Sequence, residues 1–433
     1  MSQSVKPTAV TPTPPQFAAF VGIDWADQHH AVCLSPANTL VPEQFTIRHT
    51  PEAIAELVAT LRKRFGGRHV AIALEQARGA LLYALMSSEF IVLYPVNPTT
   101  AKRYRDAFAP SGAKTDPVDA RLLWELLVKH RDQLRPWLPD DPATRHLALL
   151  CEHRRDLVNQ RTRCVQQLGA ALKTYFPQAL DWTGADLATT MALDFLLQWP
   201  TLAQLQQTKP QTVRAFYYSH RCRRPDLITD RLAQIKTATA LTTDPAVIAA
   251  HALRVQCLAR QLRPLLASLA EYDQQIAALF VAHPDAAIFA SFPGAGPCLA
   301  PRLVAAFGTN RDRFPDATAI AQLSGVAPVT RSSGQFHSVQ RRYACAKFLL
   351  QTFHEFARCS LKACDWARCY YEMQQAKGKG HHAAVRALAF KWIRILWRCW
   401  RDRLPYNEAT YIAALRRSGS PLAKLLPGTC AQP

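Results

Sequence analysis

The chain has 433 residues, 49% of them apolar, which suits a globular protein with more than one sizeable core and excludes a wholly disordered one. Lys and Arg outnumber Asp and Glu by 52 to 32, and the formal net charge of +20 falls on a chain with only 19% charged residues. An excess this concentrated calls for a polyanionic partner, nucleic acid first, while the lack of any long apolar run or signal-peptide pattern argues against a membrane or secreted protein.

Residues 1–16 carry "SVKPTAVTPTPPQ", a Pro/Thr-rich tail expected to be disordered. "FAAFVGIDWA" then reads as a strand ending near Asp24, with "HHAVCLS" and "EQFTIRH" following at hairpin spacing. "PEAIAELVATLRKRF" has helical periodicity, and "HVAIALE" is a buried strand with Glu75 at its carboxyl end. "GALLYALMSS" is a short helix, "IVLYPVN" another buried strand and "PTTAKRYRDAF" a helix start. A three-strand meander followed by helix, strand, helix, strand, helix is the order of a ribonuclease H-like α/β domain, placed here at 17–135. "RPWLPDDPATRH", 135–146, is a Pro-rich boundary.

The rest reads as α. Helices near 147–175 and 246–282 are expected within a segment spanning 146–283. The second carries Leu258, Leu262, Leu265, Leu269, Tyr272, Ile276 and Leu279 at alternating spacings of four and three, a coiled-coil seam. The sequence leaves open whether these helices pair with each other or with a second subunit. Residues 176–245 form an inserted helical subdomain, 285–415 a mainly helical domain and 416–433 a tail. "FPGAGP" is a tight turn entering a helix, either a phosphate-facing element or a plain structural turn. "LSGVAPVTRSSGQFHSVQRR" is a loop, or a loop with a short hairpin.

No acid occurs from Ala317 to His354, against Arg331, Arg341, Arg342 and Lys347. None occurs from Met373 to Arg401, against Lys377, Lys379, Arg386, Lys391, Arg394, Arg398 and Arg401. The C-terminal third is therefore the expected polyanion surface, with Arg386, Arg394 and Trp397 near one helical stripe. Trp392, Trp397 and Trp400 are read chiefly as core. The twelve cysteines form no CxxC pair and are read as reduced, buried thiols of a cytoplasmic protein.

"TDPVDARLLWELL" raises the chemical question. Locally, Asp116 fits a helix N-cap, Pro117 the first helical position and Asp119 a near capping box. The wider pattern suggests more. In a ribonuclease H-like sheet the strands ending at Asp24 and Glu75 lie side by side, and Asp116 and Asp119 share a helix face that can reach the same edge. Four converging carboxylates repel unless divalent cations, Mg²⁺ or Mn²⁺, bind them. Two such ions about 4 Å apart stabilise the attacking and leaving oxygens of phosphoryl transfer. Asp27 and Asp106 are read as surface charges.

The segments "VGIDWADQHHAVCL", "ALEQARG", "YPVNPTTAKRYRDAFAPSGAKTDPVDARLLWELL", "FPGAGPCLAPRLVAAFG", "LSGVAPVTRSSG" and "RCYYEMQQAKGKGHHAAVRALAFKWIRILWRCW" together resemble the IS-one-ten family of insertion-sequence transposases. The resemblance implies a RuvC-like domain whose Asp-Glu-Asp-Asp set is Asp24, Glu75, Asp116 and Asp119. It implies a transposase domain with a nucleophilic serine in a Ser-Gly loop, here Ser333, with Ser332 as the alternate and Ser324 structural. It further implies donor and target DNA recognised through a structured bridge RNA, a bacterial, nucleoid-associated setting, and a dimer or tetramer in which the acidic domain of one subunit meets the serine of another. One departure stands out: "RRYACAKFLLQTF" lacks the basic-Gly-Asn segment that commonly follows the serine loop. A metal-dependent, structure-selective nuclease using water is the alternative reading. A sugar-kinase-like phosphotransferase and a non-catalytic DNA-bridging protein complete the field.

Overall fold

The apolar runs of the first hundred residues build a five-stranded mixed sheet. Its strands are β1 (Ala19–Asp24), β2 (His29–Pro36), β3 (Glu43–Arg48), β4 (Val70–Leu74) and β5 (Ile91–Pro95), in spatial order β3-β2-β1-β4-β5. β1, β2 and β3 pair antiparallel, while β4 lies parallel to β1 and to β5. β4, Val-Ala-Ile-Ala-Leu, is buried at every position, as expected of a central parallel strand covered on both faces. Four helices accompany the sheet: α1 (Pro51–Phe65), α2 (Ala80–Leu85), α3 (Pro98–Phe108) and α4 (Asp116–His130). α1 shows how locally these are specified. Thr50 caps its start by accepting from the Ala53 N–H, Gly66 closes it at a φ of 62°, and Ile54, Leu57, Leu61 and Phe65 bury one face. The computed structural model describes residues 16–75, 78–108, 115–334 and 336–426, and the chain divides into two compact units, 1–139 and 140–433.

The second unit is helical. α5 (Pro142–Tyr175) and α11 (Pro245–Val281) flank an inserted group, α6 (Ala179–Thr183), α7 (Thr190–Gln198), α8 (Leu202–Gln206), α9 (Pro210–Ser219) and α10 (Pro225–Thr237). α5 and α11 pack on each other, which answers the pairing question within one chain. The α11 seam is not a uniform coiled coil. Leu258 and Leu262 join a core with Leu168 and Leu172 of α5 and the aromatics of the inserted group, whereas Ile276 joins a separate core with Leu147 and Cys151. The two helices therefore run antiparallel, and their seam passes from one core to the other.

That other core belongs to the C-terminal helices: α12 (Ala286–Ala290), α13 (Gly296–Phe307), α14 (Ala317–Leu323), α15 (Lys347–Ala363), α16 (Asp365–Ala376), α17 (His381–Asp402) and α18 (Glu408–Arg417). A two-stranded ribbon, β6 (Val329–Ser333) and β7 (Phe336–Gln340), interrupts them. Trp392 and Trp400 are fully buried here, and Trp397 Nε1 donates to the Phe314 carbonyl, so the core reading of the tryptophans holds. Arg302 is buried too, held by Thr352 Oγ1 and Glu355. The "FPGAGP" turn is at least structural: a Cβ on Gly294 would come within 2.8 Å of the Cys359 backbone carbon in α15.

Three expectations need correction. The cysteines are not all buried: Cys257, Cys298 and Cys359 are exposed, though no described cysteine is in a disulfide. Asp116 is not the N-cap of α4; Thr115 holds that place with no side-chain cap bond, and Asp116 and Asp119 lie in the first turn. The basic stripe on α17 is split, because Arg386 lines a different recess from Arg394 and Trp397. Among the described residues, no helix is long and apolar enough to cross a membrane.

The tightest approach in the first unit is α4 against β1. A Cβ on Gly22 would stand 2.2 Å from the Ala120 carbonyl oxygen and 2.4 Å from the Trp124 nitrogen, both backbone atoms. Trp124 Nε1 also donates to Ser35 Oγ on β2 at 2.9 Å, fixing the helix across the sheet. Gly22→Ala is expected to destabilise the protein by about 3 kcal/mol, since a backbone segment must shift. Gly169→Ala, inside α5 with only Leu187 Cδ1 nearby at 3.7 Å, is expected to stabilise it by roughly 0.5–1 kcal/mol. Denaturant midpoints of the two variants measure both signs.

Candidate functional site

The first candidate site is the carboxyl edge of the sheet. Ile23 of β1 pairs with Leu74 of β4, so Asp24 and Glu75, the next residue on each strand, leave the sheet side by side. Both are half-buried. α4, pressed onto β1 at Gly22, carries Asp119 at its first turn. Asp119 is only 4% exposed, an unusual depth for a carboxylate. The helix N-terminus favours its negative charge. Arg105 of α3 adds a countercharge, with Nε 2.7 Å from Oδ1. Yet both of these atoms are buried without a well-aligned hydrogen bond, so the contact is one of charge and leaves Asp119 Oδ1 under-satisfied. Asp116 is exposed, one turn earlier on the same helix.

The fold thus brings Asp24 and Glu75 to one edge and lays the Asp119 helix on the sheet face over β1. It does not gather the side chains: among the described residues, no group of three or more His, Cys, Asp or Glu is placed to hold a metal ion. Asp27 and Asp106 are exposed, as surface charges should be. Sequence reading missed Arg105. Its contact joins two helices across the 109–114 segment, and no local spacing announces it.

Sequence reading also missed a histidine pair beside this edge. The Ala26 N–H donates to His30 Nδ1 at 3.2 Å, and His30 Nε2 faces His49 Nδ1 at 2.9 Å. The backbone donor requires an unprotonated Nδ1, so a neutral His30 carries its proton on Nε2 and donates to His49. Trp25 stacks on His30. The pair ties the turn after Asp24 to β2 and to the residue after β3.

The second candidate site is the ribbon in the other unit. Ser333 pairs with Phe336 and Ser332 with His337 across the strands, with Gly334 in the turn at a φ of 54°. Directly paired residues share a face and successive residues alternate. Ser333 therefore shares its face with Arg331, Phe336 and Ser338, and Ser332 shares the opposite face with Thr330, His337 and Val339. Both serines are exposed, and Phe336 is 62% exposed. Ser324 is fully buried and donates to the Ala321 carbonyl, the structural role expected of it.

The predicted basic residues divide by position. Arg341, Arg342, Lys379 and Arg386 line a cleft of about 500 Å³ together with Val339 and Gln340 of β7. Burial first, then the neighbouring Arg341, pushes the Arg386 guanidinium down from its ordinary value. Arg331 is exposed on the ribbon and Lys377 after α16. Lys347 Nζ donates to the Tyr343 carbonyl. Lys391 sits over the Tyr370 ring, and burial, then Arg394, lowers its pKa. Arg394 lines a separate groove between α17 and α18. His381 and His382 open α17, where His381 Nδ1 meets the Tyr371 hydroxyl at 2.7 Å.

Comparison with known proteins gives the family of the chain. One family model, a DEDD transposase of IS110 type, matches residues 21–177, and a second, the transposase of the IS116/IS110/IS902 family, matches residues 286–372. These matches define a transposase. The mini-circle protein of IS117 from Streptomyces coelicolor, named as a transposase, is 29% identical over 93% of this chain and 98% of its own length. A 42 kDa protein of insertion element IS900 from Mycobacterium paratuberculosis and a 44.8 kDa protein of IS116 from Streptomyces clavuligerus are each 28% identical over 90% of this chain and 96% of their own lengths. The chain belongs to the IS116/IS110/IS902 family of insertion-sequence transposases.

The histidine pair gives a pH test. Burial first, then His49 and His29, lowers the His30 pKa from 6.5 to about 4. The folded state thus prefers the neutral ring. Its contribution to stability is complete above pH 6.5 and is lost as pH falls toward 4. The urea midpoint is expected to fall between about pH 7 and pH 5, and to fall less in His30→Gln. An equal fall in the variant contradicts the assignment.

Proposed function

We propose that this transposase cuts and rejoins DNA through a phosphoserine–DNA intermediate at Ser333, assisted by Mg²⁺ or Mn²⁺ held by Asp24, Glu75, Asp116 and Asp119 of a ribonuclease H-like, RuvC-like unit. The observation that carries this reading is the register of β1 and β4. It sets Asp24 and Glu75 on adjacent strand ends, and Asp119, with a buried and under-satisfied oxygen, stands on the first turn of α4, which packs on β1. An all-oxygen, all-carboxylate donor set suits a hard divalent cation. When bound, the cation would neutralise phosphate charge and lower the pKa of the attacking hydroxyl.

The chain's own residues do the rest. Ser333 is exposed on a turn-proximal ribbon position, where a DNA strand can reach its Oγ. Oγ attacks the phosphorus as its proton leaves to solvent. The Oγ–P bond forms, one bridging P–O bond breaks, and the departing oxygen takes up a proton to give a free hydroxyl. The phosphodiester energy stays in the serine ester, so reversal by a different hydroxyl rejoins strands without a high-energy cofactor. Arg331, on the same ribbon face as Ser333, stands where it can neutralise the attacked phosphate. Arg341, Arg342, Lys347, Lys377, Lys379, Arg386, Lys391 and Arg394 provide the wider phosphate-binding surface.

The family resemblance supports two further parts of the reading. DNA ends and targets are selected through a structured guide RNA. The working form is a dimer or tetramer in which the acidic set of one subunit and Ser333 of another act on one phosphate.

Full-length protein mixed with Mg²⁺, guide RNA and element-end DNA is expected to give a protein–DNA adduct on denaturing gels. Ser333→Ala and Asp119→Asn should each lower its yield at least a hundredfold. DNA cleavage that persists in Ser333→Ala without any adduct makes water the nucleophile and overturns the serine mechanism. An adduct that maps to Ser332 moves the nucleophile to the opposite ribbon face.

A further inference from the structure

The recess behind the serine ribbon combines two chemistries. Its cations come from three separate stretches: Arg341 and Arg342 after β7, Lys379 just before α17, and Arg386 within α17. Among the described residues, no carboxylate lines it. Apart from Gln340, its other walls are mainly apolar and include the aromatic side chains of Tyr370 and Phe390. Both aromatics are half-buried and pack against the helical core while lining the recess. Arg386 is half-buried near Arg341, and no described carboxylate lines the recess beside them, a state that an arriving anion relieves. A volume of about 500 Å³ lies within the range of small-ligand sites and is far too narrow for a duplex. A ligand that is anionic at one end, flat and apolar at the other, and small enough to enter describes one nucleotide out of its stack.

We propose that this cleft binds a single unstacked deoxynucleotide of the DNA strand next to the phosphate addressed by Ser333. Its phosphates lie against Arg341, Arg342, Lys379 and Arg386, and its base lies against Tyr370 and Phe390. The assignment deepens the transposase reading and rests on it, because β7, which forms one wall, is the strand paired with the serine strand. In this arrangement the ribbon separates the attacked phosphate from its neighbouring base. The strand is bent at the site of attack and its phosphorus is presented to the hydroxyl. Base contacts of this kind are tolerant of sequence, since every base offers a flat face. That suits a protein whose target choice is made elsewhere.

The probe is thymidine 3′,5′-bisphosphate, titrated into the wild-type full chain by calorimetry or by NMR of the ligand. Its baseless counterpart, 2-deoxyribose 3,5-bisphosphate, is expected to bind about tenfold more weakly. Arg386→Gln is expected to weaken the thymidine probe about tenfold, and Phe390→Leu, which keeps an apolar side chain but removes the ring, is expected to remove most of the preference for the base. Equal binding of the two probes to wild-type protein overturns the nucleotide assignment, and so does unchanged binding to Arg386→Gln. Tighter binding of uridine 3′,5′-bisphosphate overturns the assignment to DNA. Because the probe has no scissile diester, these results are independent of the serine chemistry. Absence of base preference in the wild-type protein with Ser333-dependent adducts intact rejects the cleft alone. Base-dependent binding with Ser333-independent cleavage rejects the serine alone.

Discussion

Contact between the α4 backbone and β1, made possible by the missing side chain at Gly22, organises the N-terminal unit. Any Cβ there would occupy the space of the Ala120 carbonyl. Because the helix seats so closely, its first turn carries Asp119 down to the sheet, where it is almost fully buried. A carboxylate at that depth is costly unless countercharge accompanies it. Arg105 supplies part of that charge, and the helix N-terminus another part. The strand register does the remaining work by setting the positions after Ile23 and Leu74 next to each other. Packing, not surface chemistry, therefore decides where the acidic residues stand.

The C-terminal unit carries most of the chain's positive excess on a helical base. Trp392, Trp400, Phe353 and Phe356 fill its core, and buried Arg302 ties α13 to α15 through half-buried Glu355. From that base project a short polar ribbon and a cleft without carboxylates. In the proposed reading one unit attracts cations and the other phosphates. Phosphoryl transfer by a serine needs both, since the same phosphorus must be made electrophilic and held against a hydroxyl. This division also makes sense of the charge distribution, in which the acid-free stretches fall around the ribbon and α17.

The sequence made some of these features readable and concealed others, for physical reasons. The sheet was legible because period-two and continuous apolar runs are set by strand burial alone, so "VAIAL" and "IVLYP" could be little else. The α11 seam was legible as a repeat, but its handover from one core to the other was not, because a heptad records burial without naming the partner. Asp24 and Glu75 could be located at strand ends, while the Arg105–Asp119 contact could not, being a tertiary pair between helices with no fixed offset. Asp116 looked like a cap because Asp-Pro commonly opens helices, yet the helix begins one residue earlier than that pattern implies. The parity of Ser332 and Ser333 became visible only when the ribbon's register was known. Arg386 and Arg394 seemed to share a stripe, but α16 and α18 pack against α17 and leave them in separate recesses.

The central claim is that carboxylates from β1, from the end of β4 and from α4 form one divalent-cation site. Binding of Mn²⁺ to the full chain, followed by electron paramagnetic resonance of the free ion, addresses it without relying on DNA or catalysis. The account requires Asp24→Asn and Asp119→Asn each to weaken Mn²⁺ at least tenfold, with Asp27→Asn and Asp106→Asn leaving it unchanged. Equal Mn²⁺ affinity in all four variants and the wild type would show that these oxygens never act together, and the account would fail.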